Sequence, residues 1–334
     1  MSRLSYMMKR AMKMDYRAML KTADMLHKKC GKSRIWLLLD MVKCAAKYNA
    51  GYVDYKITEM YRLNDAQRKT QITRGISNSI VAKMNDKKFW HFFDNKTEFN
   101  ELFSQQVNRG WINLTTATKE QFAAFLKDRG DIICKPIDGS SGQGIVKRTP
   151  ESYGDPDALY EELKQLGIGI VEDKVIQHEA ISALCPTSVN TIRVATLLGD
   201  KKEGIVYAYI RIGNGKVMDN VDCGGMAAPV DIETGVISSV GANKAGETYE
   251  FHPMTGTRIP GTQIPYWAEV KNMCLEAMKA VPQVRFVAWD VAITPDGPVF
   301  IEGNSFPSHA IPQFAAHFPD GIGILPRFEE FIDL

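Results

Sequence analysis

The sequence predicts an α+β fold preceded by a basic helical unit. Residues 1–80 have a helical pattern and carry 17 Lys and Arg against 6 Asp and Glu, whereas the rest carries 24 against 33. From Val189 onward, short β-branched runs alternate with turns, and the helices are grouped elsewhere. Runs of strands with segregated helices are typical of α+β proteins and not of doubly wound parallel sheets. We therefore predict a helical basic unit over residues 1–83 and a second domain over residues 84–334.

Helices are predicted where apolar residues recur at helical spacing without Gly or Pro. In the first of them, residues 2–29, basic residues lie along one side and Leu, Met and Ala along another. We expect the apolar stripe to pack on the protein, because Met fills irregular gaps in a core. The basic side could instead contact an anionic membrane surface. The other predicted helices are residues 33–48, 65–84, 97–108, 119–129, 157–166 and 265–280.

Strands are predicted from β-branched runs bounded by turn residues such as Gly213-Asn214-Gly215. The predicted strands are residues 190–198, 204–212, 216–221, 227–232, 236–240, 286–294 and 299–304.

The six cysteines lie at positions 30, 44, 134, 185, 223 and 274 without a CxxC pair. They indicate reduced thiols, and no apolar stretch is long enough for a membrane span or a signal peptide. We expect a cytoplasmic protein, with the basic helix at the inner membrane surface as the alternative. Nucleic-acid binding is disfavoured, because the basic residues of the first helix lack interleaved aromatic side chains. The oligomeric state is left open.

A glycine-rich loop follows the short strand that ends in Cys134-Lys135-Pro136. Backbone N–H groups of such a loop can approach a phosphate closely, and Lys135 would supply positive charge. The loop is not a P-loop, since Gly144 is followed by Ile145, and its spacing also fails the GxGxxG pattern. An ordinary hairpin turn remains the alternative. The candidate phosphate-binding residues are Gly139, Ser140, Ser141, Gly142 and Gly144.

Near the end of the chain, Asp290, Glu302 and Asn304 lie on two strands joined by a turn. Glu302 and Asn304 share a face because side chains alternate along a strand. A two-residue loop at Asp296-Gly297 would pair Asp290 with residue 303, on the opposite face. A three-residue loop, which the Pro-Asp-Gly sequence favours, pairs it with Glu302. Three oxygen ligands without Cys or His suit Mg²⁺, although a surface hairpin with ordinary charges is the simpler alternative.

Taken in order, these segments resemble the ATP-grasp superfamily over about residues 84–334. The resemblance implies an N-terminal lobe over about 84–180 and a C-terminal lobe over about 181–334, which clasp ATP between them. It implies that Lys87 (rather than Lys88) and Lys135 contact the nucleotide, and that Arg193 reaches the terminal phosphate. Gln177 and His178 stand where the family's linker strand reaches adenine. Asp290, Glu302 and Asn304 match its D…ExN magnesium ligands, with two ions expected.

A nearer resemblance is to the sugar-transfer-associated ATP-grasp family. It is carried by the segments 188–193, 211–213, 219–220, 224–225, 252–256 and 303–305. This resemblance implies substrate contacts by Asp219, Asn220 and His252, each of which could also be structural. The sequence departs from the family pattern at two places. The linker has Gln177-His178 in place of an acidic residue, and position 288 is Ala where related ligases have Arg. The role of stabilising the transferred phosphoryl group therefore falls on Arg193 with Arg211.

The function implied is an ATP- and Mg²⁺-dependent ligase. It would activate a carboxylate as an acyl phosphate for attack by an amine or another nucleophile. The substrate would be a small molecule or a glycan precursor, in polysaccharide or cell-surface glycan biosynthesis. A kinase acting on a sugar or lipid-linked hydroxyl would use the same residues, and a non-catalytic ATP-binding scaffold is a further alternative.

Overall fold

The computed structural model describes residues 15–139, 144–215, 219, 221 and 224–334. Contacts divide the chain into two compact units. The first holds residues 1–83 together with the C-terminal segment 308–334, and the second holds residues 84–307. The sequence-based division has the same boundary after residue 83, but it assigns 308–334 to the second domain. The division into lobes near residue 180 stays a prediction.

Helices make up the first unit. They are α1 (Tyr16–Cys30), α2 (Arg34–Tyr48), α3 (Tyr52–Ile57), α4 (Asp65–Lys69) and α5 (Arg74–Met84), with a further short helix at Leu325–Glu329. Three begin at capping side chains: Asp15 accepts the N–H of Ala18 at 3.0 Å, Ser33 accepts that of Trp36 at 3.1 Å, and Asn64 accepts that of Gln67 at 3.0 Å. No described helix is long and apolar enough to cross a membrane.

The core of the first unit encloses a charged pair. Asp40 accepts two hydrogen bonds from the Arg68 guanidinium, at 2.9 and 2.6 Å, and one from the Tyr55 hydroxyl at 2.8 Å. Apolar side chains from α1 and α2 surround this pair. Met19 packs against this core as expected of the apolar stripe, whereas Met25 is exposed. Leu26 is buried and Ala18 is half-buried, whereas the stripe residues before position 15 lie outside the described residues.

A small four-stranded sheet opens the second unit. Its strands are β1 (Trp111–Asn113), β2 (Ile132–Lys135), β3 (Val146–Arg148) and β4 (Ile170–Asp173), in the order β1-β4-β2-β3. The preceding helices are α6 (His91–Asp94), α7 (Lys96–Leu102) and α8 (Ser104–Val107). Two further helices, α9 (Lys119–Leu126) and α10 (Pro156–Gln165), pack on the sheet through Phe122, Leu159 and Leu163.

A seven-stranded antiparallel sheet forms the rest of the second unit, in the order β11-β10-β5-β6-β7-β8-β9. Its strands are β5 (Ile192–Leu198), β6 (Glu203–Ile212), β7 (Met226–Pro229), β8 (Gly241–Ala242), β9 (Thr248–Tyr249), β10 (Phe286–Thr294) and β11 (Gly297–Asn304). Helix α11 (Glu179–Ser182) precedes it, and α12 (Trp267–Ala277) lies between β9 and β10. Alternate residues such as Val194 and Val291 join α12 in the main apolar core. The predicted α+β class is confirmed.

The β10–β11 hairpin has the predicted pairing but not the predicted loop. Asp290 lies opposite Glu302, as expected. Thr294 pairs with Gly297, however, so the loop has only the two residues Pro295 and Asp296. A β-bulge at Ile301 supplies the missing residue, since Val291 pairs with Phe300. The three-residue loop was therefore wrong, and the bulge produces the register that the loop was expected to produce.

Other predicted elements differ as well, and the predicted helix 97–108 is divided at Phe103 into α7 and α8. The predicted helix 65–84 is broken into α4 and α5, because the Gln313 side chain bonds both the N–H and the C=O of Ile72 at 2.8 and 2.9 Å. Residues 236–240 form only isolated bridges and no strand. Most of the predicted strand 216–221 lies outside the described residues.

Gly297 adopts a φ of 134°, in a region that favours glycine, and a Cβ there would meet open space. Gly297→Val is therefore expected to lower the free energy of unfolding by about 1–3 kcal/mol through backbone strain alone. Chemical denaturation measures this change. Gly130→Val is the matched control, since Gly130 also faces open space and has no positive φ. Equal losses in the two variants would contradict the assignment of strain to Gly297.

Candidate active site

A row of polar side chains crosses the large sheet at its centre. Asp290 pairs with Arg193 on one side and with Glu302 on the other. Arg193 in turn pairs with Tyr209. Because directly paired residues share a face, these four side chains project from the same side of the sheet. Their chain neighbours, such as Val194 and Val291, point into the core on the opposite side.

Asp290 is the centre of this row and is completely buried. Arg193 donates to it through Nε to Oδ1 and through Nη2 to Oδ2, both at 2.6 Å. Arg211 donates from Nη2 to Oδ2 at 2.7 Å. Arg193 Nη2 also lies 3.9 Å from the Glu302 carboxylate. Two cations and two carboxylates are thus grouped in one patch, and both predicted catalytic arginines belong to it.

The two carboxylates have opposite pKa shifts. Burial alone would raise the pKa of Asp290, but the Arg193 and Arg211 guanidinia outweigh it and lower that pKa well below its usual range. Burial, with the nearby negative charge of Asp290, raises the pKa of Glu302. A cation bound between the two would favour the ionised form of both.

Arg211 is held by a second layer of polar groups. It donates to the Thr191 hydroxyl from Nε and Nη2, at 2.9 and 2.6 Å. Asp219 accepts from the backbone N–H of Thr191 at 2.9 Å, and its carboxylate lies 3.4 Å from Arg211 Nε. Asp219, a predicted substrate contact, is buried and is occupied in positioning Thr191 and Arg211. Asn220 lies outside the described residues.

The donor set on this face fits Mg²⁺. Asn304 donates from its amide nitrogen to the Ala288 carbonyl at 3.2 Å, which leaves its side-chain oxygen for a ligand. From the arginines of the described part of the chain, Asp290 Oδ2 accepts two hydrogen bonds and Oδ1 one, so Oδ1 has a lone pair left over from them. No group of three or more His, Cys, Asp or Glu among the described residues is arranged as a metal site. Glu302 and Asp290 would therefore share the ion with Asn304, waters and phosphate oxygens.

A second charged cluster lies at the small sheet around Glu172. The Lys135 ammonium donates to Glu172 at 2.5 Å, Asn100 donates at 2.8 Å, and Arg109 contacts both carboxylate oxygens at 3.2 Å. Burial would raise the pKa of Glu172, but Arg109 and Lys135 outweigh it and lower the pKa to about 2. One carboxylate thus holds two cations, which leaves the cluster with excess positive charge next to the glycine-rich loop.

Lys87 and Lys96 have different surroundings in the structure, which bears on which lysine could contact the nucleotide. Lys87 is exposed and lies 5.5 Å over the Trp90 ring, and Lys88 is exposed as well. Lys96 instead donates to the carbonyls of Ile137 and Gly139, at 3.2 and 3.1 Å, at the start of the glycine-rich loop. Burial lowers the pKa of Lys96. The negative charge of Glu302 acts to raise this pKa, and the positive charge of Lys135 acts to lower it further. Lys96 therefore lies at the start of the glycine-rich loop, and the contact of Lys87 with the nucleotide stays a prediction.

The glycine-rich loop itself is described only at its ends. Gly139 and Gly144 have φ values of 137° and 73°, which only glycine adopts readily. Ser140, Ser141 and Gly142 lie outside the described residues.

The side chains of the linker residues Gln177 and His178 accept hydrogen bonds from backbone N–H groups. The Gln177 side chain accepts the N–H of Asn190 at 2.5 Å, and the His178 ring accepts that of Ala180 at 3.2 Å. Both line an open depression of about 660 Å³. A role of either side chain in binding adenine stays a prediction. His252, a predicted substrate contact, is instead buried, and its Nε2 lies 2.8 Å from the Gly213 carbonyl. It supports that turn and has no exposed surface for a substrate.

Sequence reasoning missed several residues of these clusters, among them Asn100 and Arg109, which both bond Glu172. Lys96 follows Asn95, which caps α7, much as Lys87 follows Asp86, so the repeated pattern was a usable signal. Glu172 lies in an apolar strand, where a charge needs a partner. Tyr209 is buried, and its hydroxyl has no hydrogen-bond partner in the described part of the chain. Nothing in the sequence distinguishes it from its neighbour Tyr207.

Glu172→Gln is expected to reduce the free energy of unfolding at neutral pH by on the order of 3 kcal/mol, since its pKa falls from 4.5 to about 2. The ionised form stabilises the fold, so this difference is complete above about pH 5 and disappears as the pH falls toward 2. Denaturation of both proteins across that range measures it. Glu161→Gln, which removes an exposed partner of Lys119, is the control and should change little. A constant difference at all pH values would contradict the assignment.

The chain was compared with known proteins. It is 31% identical over 119 residues to the glutathione synthetase of Neisseria meningitidis serogroup A, and the match covers 34% of this chain and 32% of that enzyme. Similar solved structures include the D-alanine-D-alanine ligase of Coxiella burnetii, with a TM-score of 0.43, 10% identity, and coverage of 72% of this chain and 56% of that one. The VanG D-Ala:D-Ser ligase of Enterococcus faecalis has a TM-score of 0.42, 14% identity, and coverage of 71% and 60%.

The model of one protein family, described as sugar-transfer associated ATP-grasp, matches residues 76–331. The match contains both charged clusters, the glycine-rich loop and the β10–β11 hairpin. Since it covers well over half of the chain, the protein belongs to the sugar-transfer associated ATP-grasp family.

Proposed function

We propose that the protein is an ATP- and Mg²⁺-dependent ligase. It would transfer the γ-phosphoryl group of ATP to a carboxylate, and an amine or another nucleophile would then attack the acyl phosphate with release of phosphate. The family name supports a substrate from glycan assembly, either a small molecule or a glycan precursor. Family membership and the two charged clusters of the second unit support the proposal together.

The observation that carries the proposal is the row of Arg193, Asp290 and Glu302. Phosphoryl transfer depends on positioned positive charge and on a metal ion, and not on a protein nucleophile. Asp290 orients Arg193 through two hydrogen bonds, which leaves further N–H groups of this guanidinium for phosphoryl oxygens. Arg211, oriented by Thr191, would add charge on the same face. The buried hydroxyl of Tyr209, which has no hydrogen-bond partner among the described residues, would contact the reacting group beside Arg193.

The nucleotide phosphates would be held by Lys135 and Lys96 under the glycine-rich loop. Glu172 keeps the Lys135 ammonium in place, and Lys96 would exchange its carbonyl partners for phosphate oxygens. Asp290, Glu302 and Asn304 would hold Mg²⁺, with two ions as the family resemblance implies. When bound, the metal would offset the negative charge of the phosphates.

Measurement of ADP and free phosphate against amino acids, sugar acids and amino sugars tests the proposed activity. A ligase releases both ADP and phosphate and forms a new bond between two substrates. A kinase would release ADP while the phosphate stays on the product. No turnover with any acceptor, despite tight ATP binding, would favour the scaffold.

Lys96→Ala is expected to weaken nucleotide binding by about 10- to 100-fold, because one charged phosphate contact is lost. Titration calorimetry with a non-hydrolysable ATP analogue measures this. Lys87→Ala is the control and should bind within about twofold of the unchanged protein, since its ammonium is exposed. A larger loss for Lys87→Ala would restore the original assignment.

Glu302→Gln is expected to lower turnover by about 100-fold or more and to raise the Mg²⁺ concentration needed for half-maximal activity. Nucleotide binding without metal should be nearly unchanged, because no lysine contact is altered. The control is Asp296→Asn, at the exposed tip of the same hairpin. Normal metal dependence in Glu302→Gln would remove this carboxylate from the proposed metal site.

A further inference from the structure

The outward face of α2 is apolar. Ile35, Leu39 and Val42 follow one another at helical spacing and are 72%, 66% and 55% exposed. The opposite side of the helix, with Leu37 and Cys44, is completely buried in the core of the first unit. This stripe is therefore the part of α2 directed away from the protein, where exposed large apolar side chains are costly.

The outward face of α1 is basic. Arg17, Lys21 and Lys28 are exposed and lie on one side of the helix, opposite the buried Ala23 and Leu26. None of the three basic residues is paired with a carboxylate in the described part of the chain. Residues 15–48 carry eight Lys and Arg against three Asp and Glu.

The apolar and basic stripes belong to neighbouring surfaces. Helices α1 and α2 pack against each other, and the exposed Asp24 of α1 bonds Arg34 of α2 at 2.7 Å. At the edge of the apolar stripe, Trp36 is 40% exposed, and the Lys32 ammonium lies 4.0 Å from its ring centre. Tryptophan and lysine side chains are common where a protein meets the headgroup layer of a bilayer.

We propose that the α1–α2 face, defined by Arg17, Lys21, Lys28, Ile35, Leu39 and Val42, binds the surface of an anionic lipid bilayer. An anionic bilayer satisfies both stripes at once: its headgroups attract the basic residues, and its interfacial layer covers the apolar ones. A nucleic acid would use the charges but not the aliphatic stripe, and an acidic protein groove would need a matching apolar floor. The inference is independent of the proposed ligase activity.

Cosedimentation of the full chain with lipid vesicles tests this. We expect binding to vesicles that contain phosphatidylglycerol, weakening with added salt, and little binding to phosphatidylcholine alone. Leu39→Asp should reduce binding about tenfold or more, and Lys21→Glu should reduce it several-fold. Leu166→Asp, at a 53% exposed leucine of the second unit, is the matched control and should bind normally.

The Trp36 fluorescence gives a second readout. Vesicles should shift the emission of the unchanged protein, and the shift should be largely lost in Trp36→Phe. ATP turnover in solution should be the same in Leu39→Asp and the unchanged protein, which separates this test from that of the ligase. Equal vesicle binding by Leu39→Asp and Leu166→Asp would overturn the proposal. Loss of self-association in Leu39→Asp, without vesicle binding by the unchanged protein, would identify a protein interface and overturn it as well.

Discussion

The second unit depends on one buried carboxylate. Asp290 lies at the centre of the large sheet with no exposed surface, and a charge there is stable only with close partners. Arg193 provides one from the adjoining strand β5, and Arg211 provides another from β6, one strand further away. Thr191 and Asp219 fix Arg211 in turn. The same contacts orient two guanidinia on one face of the sheet, so the stability of the cluster and its proposed reactivity have one origin.

The second unit contains two charged clusters of opposite character. The cluster around Glu172 has an excess of cations, whereas the row around Asp290 brings two carboxylates together. Lys96 experiences charges from both, since Glu302 and Glu172 each act on its ammonium. A polyphosphate with a divalent cation needs this combination, because the phosphates require positive groups and the cation requires oxygen anions.

Local patterns in the sequence were enough for the fold class and for several elements. The predicted start of α2 at Ser33 agrees with the structure, because the Ser33 side-chain oxygen satisfies a free backbone N–H. The cap of α1 at Asp15, inside the predicted helix 2–29, was not predicted. β-Branched runs bounded by turn residues identified β10 and β11, and period-two alternation placed Glu302 and Asn304 on one face. The strand before the glycine-rich loop pointed to Lys135 and the turn residues to the hairpin, and the resemblance to a family added Arg193. All of these depend on residues close together in the chain.

Tertiary contacts decided the rest. The bulge at Ile301, not the turn, sets the pairing of Asp290 with Glu302, and Gln313 interrupts a helix from more than 200 positions away. Lys96 and Lys87 have similar local sequences, but only Lys96 meets the loop that begins at Ile137. His252 and Asp219 are buried by segments distant in the chain. The sequence by itself determined which residue types carry the chemistry and which strands hold them. Only the tertiary structure decided which of those side chains meet, because burial and register come from contacts between distant segments.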